Sequence, residues 1–276
     1  MGLRINTNIA SQEVQKNLRA NSAQQEAEFS KLSSGKRITK SADDAAGLAI
    51  ATKMGAETRG LKVASRNAND AISLVQVAEG GLNETSNILT RLRELSVQAG
   101  SDTVGDKERG YLSLEYEQLL SEADRISKTT TFNGKPLLKG EGNVLQFQVG
   151  AYSGQDNRIE FDAGATDSSV ENLGLGGSNI RGKEDALDNL GKIDEAIDKV
   201  SAFRANFGSI QSRLQSTINN LDVSVVNQEA ARSRIEDVDV ADSTAKVASA
   251  QIKNAASTAT LAQANQLGQG ALRLIG

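Results

Sequence analysis

A single proline, Pro136, lies near the middle of this chain of 276 residues. Proline interrupts helices because it has no backbone N–H and because its ring clashes with the preceding turn. The two long proline-free arms on either side of it therefore predict two helical arms joined by a non-helical tip. An antiparallel arrangement of these arms would bring the two ends of the chain close together.

The residue types that are missing exclude most catalytic chemistry. The chain has no cysteine and no histidine, which excludes thiol nucleophiles, histidine-based triads and the common zinc sites. We therefore expect a protein that is not an enzyme and that holds no cofactor or metal. Asp43 and Asp44 are adjacent carboxylates, but neighbours on a helix do not face each other. We interpret the segment 41–44 as a capping box at the start of a helix.

Charge and hydropathy limit the partners. The formal net charge is −4, and no basic stripe is present to contact phosphates, so we expect no nucleic-acid binding. No apolar run reaches the length of a membrane span, so we expect no membrane insertion. The N-terminus has no apolar segment of signal-peptide length. This pattern is compatible with a cytoplasmic protein and with a protein exported without a cleaved signal.

Heptad patterns dominate both arms. Apolar and small residues from Leu61 to Ala99 alternate steps of three and four, which is typical of a left-handed coiled coil. A similar alternation runs from Leu190 to Val225. Leu95 lies beside the first pattern and widens its apolar face, which indicates more than one partner helix. The candidate residues of the bundle core are Leu61, Val75, Leu82, Leu89, Leu92, Ile197, Phe207 and Leu214.

The segment between the arms has the pattern of a small β region. Residues 132–136 contain an Asn-Gly turn signal, and the runs 144–149 and 158–161 alternate like strands. We therefore predict a mainly α fold, a long antiparallel helical bundle or coiled coil with a small central β-hairpin region. Residues 130–182 are too few for a further large domain.

The two terminal helices have weak apolar stripes and many Asn, Gln, Ser and Thr residues. They can bury little apolar surface alone, and helices without tertiary packing are marginal in water. We expect these ends to be poorly ordered in the monomer and to pair as a coiled coil on assembly; docking on the central bundle within one chain is the alternative. The candidate assembly residues are Ile5, Ile9, Val14, Leu18, Leu32, Val247, Ile252, Leu261, Leu267 and Leu274.

Short blocks along both arms resemble bacterial flagellin, and they occur in the same order as in that family. The match covers most of the chain. The blocks are INTN (5–8), LSSG (32–35), DDAAGLAIA (43–51), ASRNAND (64–70), RLRELSVQ (91–98), FNG (132–134), ARSRIED (231–237) and LAQANQ (261–266).

The resemblance implies a structural subunit that polymerises with itself into the flagellar filament used for swimming. In that family the terminal helices form an inner coiled-coil layer, which corresponds here to residues 1–43 and 239–276. The long central helices form the surrounding layer, which corresponds to 44–129 and 183–238. Residues 130–182 would then be the β-hairpin tip, without the large variable domain of many flagellins.

The resemblance also implies a location and partners. The family is exported through the flagellar type III apparatus without a cleaved signal peptide, and it reaches the bacterial flagellum outside the cell. Expected partners are copies of the same chain, an export chaperone at the C-terminal helix (about 241–276), and the filament cap and junction proteins.

Three residues match positions at which a vertebrate Toll-like receptor recognises flagellins: Arg91, Leu95 and Glu115. The resemblance makes them candidate receptor contacts. A plainer interpretation has Leu95 packed in the bundle and the two charges forming contacts on the helix faces.

Two other functions remain as alternatives. One is a hook–filament junction protein with flagellin-like ends. The other is a cytoplasmic coiled-coil signalling module that resembles the helical hairpin of a chemoreceptor. Such a hairpin would continue its heptads to a tight polar tip, and the strand-like segment after Phe132 disfavours it.

Overall fold

The computed structural model describes residues 7–141 and 144–273, with side chains in the last helix described as far as Gln266. Most of these residues lie in helices, which confirms the prediction of a mainly α fold. The helices are α1 (Ile9–Ser34), α2 (Ala45–Ala99), α3 (Asp106–Thr129), α4 (Lys183–Glu236) and α5 (Val240–Arg273). No helix in the described ranges is long and apolar enough to cross a membrane.

The chain divides into two compact units. The terminal unit combines the residues up to Ala56 with those from Asn227 onward, and the central unit comprises Glu57–Val226. The two boundaries between the units lie inside long helices, after Ala56 in α2 and after Val226 in α4. Each of these helices therefore contributes residues to both units.

The heptad positions of α2 supply much of the core of the central unit. From Ala64 to Ala99, every residue of the repeat is buried, and Leu74, Ile88 and Leu95 are buried beside it. The buried core candidates are Val75, Leu82, Leu89, Leu92, Phe207 and Leu214.

Two other core candidates are only half-buried, Leu61 and Ile197. Ile197 packs against the buried cluster from its edge. Leu61 precedes Ala68, the first α2 residue of that cluster. The heptad spacing therefore identified the correct helix face and overestimated burial where the repeat begins.

The tip contains the predicted Asn-Gly turn. Strands β1 (Thr131–Phe132) and β2 (Lys135–Pro136) are antiparallel. Asn133 and Gly134 connect them with φ values of 49° and 76°, and Asn-Gly is the favoured pair for such turns because glycine has no Cβ and asparagine tolerates positive φ. Pro136 is therefore a residue of a very short strand, where its missing N–H interrupts no helix.

A second antiparallel hairpin completes the tip. Strands β3 (Val144–Gln148) and β4 (Arg158–Asp162) pair with Leu145 opposite Phe161. Along β4, buried and exposed residues alternate, so Ile159 and Phe161 face the core. The ring of Phe161 lies 5.3 Å from that of Phe207 in α4, which joins the hairpin to the helical core.

The termini of α1 and α2 are capped by short polar side chains. The Asn8 side chain accepts a hydrogen bond from the backbone N–H of Ser11 (3.1 Å), and α1 ends at Gly35 with a φ of 69°. Asp44 Oδ1 accepts the N–H of Gly47 (2.8 Å) at the start of α2. The N-cap is therefore Asp44, whereas the carboxylate of Asp43 accepts backbone N–H groups from the preceding loop.

The end of α4 lies close to the expected boundary of the second arm at residue 238. The charged segment after Ala230 breaks the apolar spacing but not the helix, which continues to Glu236. Arg232 and Glu236, one turn apart, form an ion pair (Nε to Oε2, 2.8 Å) that is compatible with helix and supports it. Only residues 237–239 separate α4 from α5.

Within the terminal unit, α1 and α5 pack against each other as antiparallel helices. Near one end of the pair, the Asn8 side-chain amide donates to the carbonyl of Ala264 (2.9 Å). Further along, Asn21 lies within hydrogen-bonding distance of Ser257. The coiled-coil pairing expected on assembly is thus already present within one chain.

Candidate assembly surface of the terminal helices

The residues of α1 that are less than fully exposed follow a strict heptad spacing. Outside this heptad pattern, all residues of the helix except Lys31 are exposed. Four of the seven heptad residues are polar, so apolarity alone did not reveal the repeat. They are Ser11, Val14, Leu18, Asn21, Gln25, Glu28 and Leu32.

The described part of α5 shows the matching pattern. Between Val240 and Gln266, only seven residues at heptad spacing are buried or half-buried, and all the remaining residues are exposed. The heptad residues are Ser243, Val247, Ala250, Asn254, Ser257, Leu261 and Ala264. We call these positions, together with those of α1, the α1/α5 seam. Two facing repeats with steps of three and four form a two-stranded coiled coil.

Polar side chains meet across this seam. Asn254 Nδ2 donates to Gln25 Oε1 (2.5 Å), and Asn21 Nδ2 lies 3.5 Å from Ser257 Oγ. Ser11 Oγ donates to Asn265 Oδ1 (3.0 Å), just beside the seam. Hydrogen bonds thus take many of the places that leucines occupy in an ordinary coiled coil.

Large apolar side chains lie outside the seam on both helices. Ile252 is 71% exposed and Ile9 is 56% exposed, while Val240 and Phe29 are 60% and 46% exposed. We call these four residues the outer apolar residues. Leaving them in water forgoes roughly 1.5–3 kcal/mol for each side chain that could be fully buried. A partner surface that covered them would recover part of this free energy.

The candidate assembly residues fall into three groups. Val14, Leu18, Leu32 and Leu261 are half-buried in the seam, and Val247 is buried there. Ile9 and Ile252 are outer apolar residues. Ile5, Leu274 and the side chain of Leu267 lie outside the described residues.

The seam contains residues that sequence reasoning missed, namely Ser11, Asn21, Gln25, Glu28, Ser243, Asn254 and Ser257. Their three-and-four spacing is visible in the sequence. It becomes recognisable only when polar residues are accepted at heptad positions.

A nearly buried carboxylate connects the two chain segments that lead to this pair. Glu236, 6% exposed, forms ion pairs with Lys36 Nζ (2.5 Å) and Arg232 Nε (2.8 Å). The hydrogen bond from Lys36 is the largest influence and lowers the pKa of Glu236; burial opposes it, and Arg232 adds to the lowering. The adjacent backbones also pair, since the N–H of Arg37 donates to the carbonyl of Glu236 (2.7 Å).

The candidate receptor residues lie in the central unit. Leu95 is fully buried. Arg91 is exposed and donates to Glu94 (2.9 Å) and to Glu115 (2.8 Å), and these hydrogen bonds raise the pKa of the Arg91 guanidinium. At the surface, these candidates therefore present an ion pair, with the leucine beneath it.

No group of three or more potential metal ligands is found in the described ranges. The features that stand out in the terminal unit are helix surfaces: a polar seam and exposed apolar side chains.

Two family models match the chain in succession. The bacterial flagellin N-terminal helical region matches residues 5–143, and the bacterial flagellin C-terminal helical region matches residues 190–275.

Curated relatives match almost the whole chain. The flagellin of Halalkalibacterium halodurans is 43% identical over 98% of this chain and 99% of its own length. The flagellin of Bacillus subtilis is 42% identical over 99% of this chain and 100% of its own length. Among solved structures, Bacillus cereus flagellin is 33% identical, covers 56% of this chain and 88% of its own, and has a TM-score of 0.51.

Proposed function

This chain belongs to the bacterial flagellin family and is a structural subunit of the flagellar filament, and we propose that the α1/α5 pair supplies the contacts between subunits. The observation that carries this proposal is the exposure of the outer apolar residues on two helices whose mutual seam is largely polar. The occupant of this surface is a second copy of the same chain. Burial of apolar area is the main favourable term in most protein association.

We assign each segment of the chain to one layer of the filament. Residues 1–43 and 239–276 form the inner layer of the filament, residues 44–129 and 183–238 form the surrounding layer, and residues 130–182 form the tip. The compact units support this organisation, although they divide inside α2 and α4, at Ala56 and Asn227. The first turns of α2 and the last turns of α4 thus cluster with the terminal unit, although they lie within the proposed surrounding layer.

The assembly surface is tested by replacing outer apolar residues. The double variant Phe29→Ser, Ile252→Ser should retain its helix content and polymerise at least tenfold less, because it loses apolar area only at exposed positions. Sedimentation and electron microscopy measure the filament yield, and circular dichroism measures the fold. The matched control is Gln24→Ser, Ala248→Ser, at exposed positions on the same helices. Filament yield equal to that of the control would refute the proposal.

We propose the route of export and the accessory partners from the flagellin family to which the chain belongs. The subunit leaves the cell through the flagellar type III apparatus without a cleaved signal peptide and is located in the extracellular flagellum. A chaperone covers α5 before export, where Ile252 is exposed, and the cap and junction proteins contact the terminal helices at the two filament ends. Binding of the purified chaperone to the full chain and to the Ile252→Ser variant tests this step, and equal affinity would contradict it.

A receptor contact in the central unit is a separate proposal. Arg91 and Glu115 form the exposed part of a surface for a vertebrate Toll-like receptor, and the buried Leu95 positions the helix beneath them. A receptor reporter assay with Arg91→Ala should show a weaker response than with Arg93→Ala, a nearby exposed arginine of α2. Equal responses would exclude this contact.

A further inference from the structure

We propose that the half-buried polar pairs of the α1/α5 seam set the register of the two helices, that is, which turn of α1 meets which turn of α5. The central pair is Gln25 with Asn254, and Asn21 with Ser257 lies one step further along. This inference deepens the proposed filament function and rests on it.

Large apolar contacts are few in this pair. The seam repeats every seven residues on both helices, so a slip by one heptad again places seam positions opposite seam positions. Only five of its fourteen residues are large and apolar, namely Val14, Leu18, Leu32, Val247 and Leu261. The heptad spacing that places Gln25 opposite Asn254 also places Leu18 opposite Leu261 and Leu32 opposite Val247, so a slip by one heptad separates these few apolar pairs together with the amides.

Polar pairing distinguishes the registers strongly. A slip by seven residues in either direction would place Asn254 opposite Leu18 or Leu32. It would place Gln25 opposite Val247 or Leu261. Each amide would lose its partner while remaining in the seam, and an unsatisfied buried polar group is costly.

Asn254 has no second side-chain hydrogen bond that would remain after such a slip. Its Oδ1 is already buried without a hydrogen-bond partner, and its Nδ2 bonds to Gln25. A slip that separated the two residues would therefore leave the whole amide unpaired. A single polar residue at a heptad position is known to specify register at a cost in stability, and the low apolar content of this seam is consistent with that exchange.

Register matters for assembly because the outer apolar residues lie on both helices. A slip by one heptad displaces Ile252 and Val240 by about 10 Å along the axis relative to Ile9 and Phe29. A neighbouring subunit that fits one arrangement would not fit the other.

The experiment measures register directly in filaments. The native chain has no cysteine, so Ala20→Cys and Ala245→Cys introduce the only attachment sites for spin labels. Both positions are exposed and are staggered along the pair, so a slip in either direction changes their separation. Labelled copies are diluted into unlabelled subunits, and pulsed electron paramagnetic resonance gives the distance distribution within one chain.

We expect one narrow distribution for the unaltered seam and a second, displaced population for Gln25→Leu, Asn254→Leu. The reciprocal swap Gln25→Asn, Asn254→Gln keeps an amide pair and should keep the single distribution. The control Gln24→Leu, Gln251→Leu adds the same apolar groups at exposed positions and should also keep it.

Several outcomes would overturn the inference. A single unchanged distribution in the leucine pair would show that the amides do not set the register. If that variant fails to enter filaments that the swap and control enter, its distribution is compared with that of the unaltered chain in dispersed subunits, and identity of the two again overturns it. Failure of the unaltered chain to polymerise would instead refute the proposed function.

Discussion

At the scale of single residues, Glu236 is the clearest case of a side chain that connects distant parts of the chain. Its carboxylate is nearly buried and pairs with Lys36, which follows α1, and with Arg232 of α4. A buried carboxylate is tolerable only with such partners, because removing it from water is otherwise costly. The pair therefore ties the segment after α1 to the end of α4 within the terminal unit.

The pH dependence of the terminal unit follows from this carboxylate. Because the pKa of Glu236 is lowered in the folded chain, mainly by Lys36, its stabilisation is present above the ordinary glutamate pKa of about 4.3. It is lost as the pH falls through the lowered value. Glu236→Gln should lower the free energy of unfolding of the terminal unit at pH 7 by about 1 kcal/mol. The variant should also lose less of this stability than the unaltered chain when the pH is lowered to acid values.

Thermal unfolding between pH 3 and pH 7, followed at both units, measures this effect. Asp242→Asn is a suitable control, because Asp242 forms an exposed ion pair within α5. Identical acid profiles for Glu236→Gln and the unaltered chain would contradict the prediction.

At the scale of elements, α2 and α5 show what a helical pattern reveals. The repeat of α2 is apolar and its buried face was read correctly from Ala64 onward. The repeat of α5 includes serine and asparagine, and Asn254 and Ser257 lie within hydrogen-bonding distance of polar residues of α1. Such a partner is invisible until the two helices are placed together.

Two adjacent glycines in α2 test how closely this helix packs against the tip. A Cβ on Gly81 would lie 2.7 Å from Thr130 Oγ1 and 2.8 Å from Leu138 Cδ1, whereas a Cβ on Gly80 would have no heavy atom within 4 Å. Gly81→Ala should therefore destabilise the central unit by about 1–3 kcal/mol through overpacking. Gly80→Ala should stabilise it by about 0.5–1 kcal/mol, because alanine favours the helix.

Chemical denaturation of the two variants measures these opposite effects in one helix. The two substitutions are identical in chemistry and adjacent in sequence. Equal shifts in the unfolding midpoint would show that the contact between α2 and the tip is looser than the structure indicates.

At the scale of the whole molecule, the main buried core and the proposed assembly surface belong to different units. The main buried cluster lies entirely between Ala68 and Ile218, within the central unit. The terminal unit has a partly polar seam and exposed apolar residues. The central unit is therefore expected to fold without the terminal helices.

Truncation tests this separation. Removal of residues 1–35, or of 241–276, should leave a monomer whose central unit unfolds cooperatively at nearly the native midpoint and that forms no filaments. Calorimetry measures the first property and electron microscopy the second. Long filaments from either truncated chain would show that the terminal helices are not required for polymerisation.

The helical arms, the non-helical tip and the buried face of α2 follow from local and periodic features. One proline, an Asn-Gly turn and an apolar repeat act over a few residues or along a single helix. The charged segment after Ala230 stays helical, and the ion pair between Arg232 and Glu236, one turn apart, supports the helix there.

The pairing of α1 with α5 depends on distances between residues far apart in the chain. Periodicity shows which face of a helix is buried, but it does not show which turn of another helix lies opposite. Gln25 and Asn254 become a pair only when folding brings them to 2.5 Å, and their pairing leaves Ile9 and Ile252 exposed. Register, and with it the arrangement of the exposed apolar residues, is therefore a property of the folded pair.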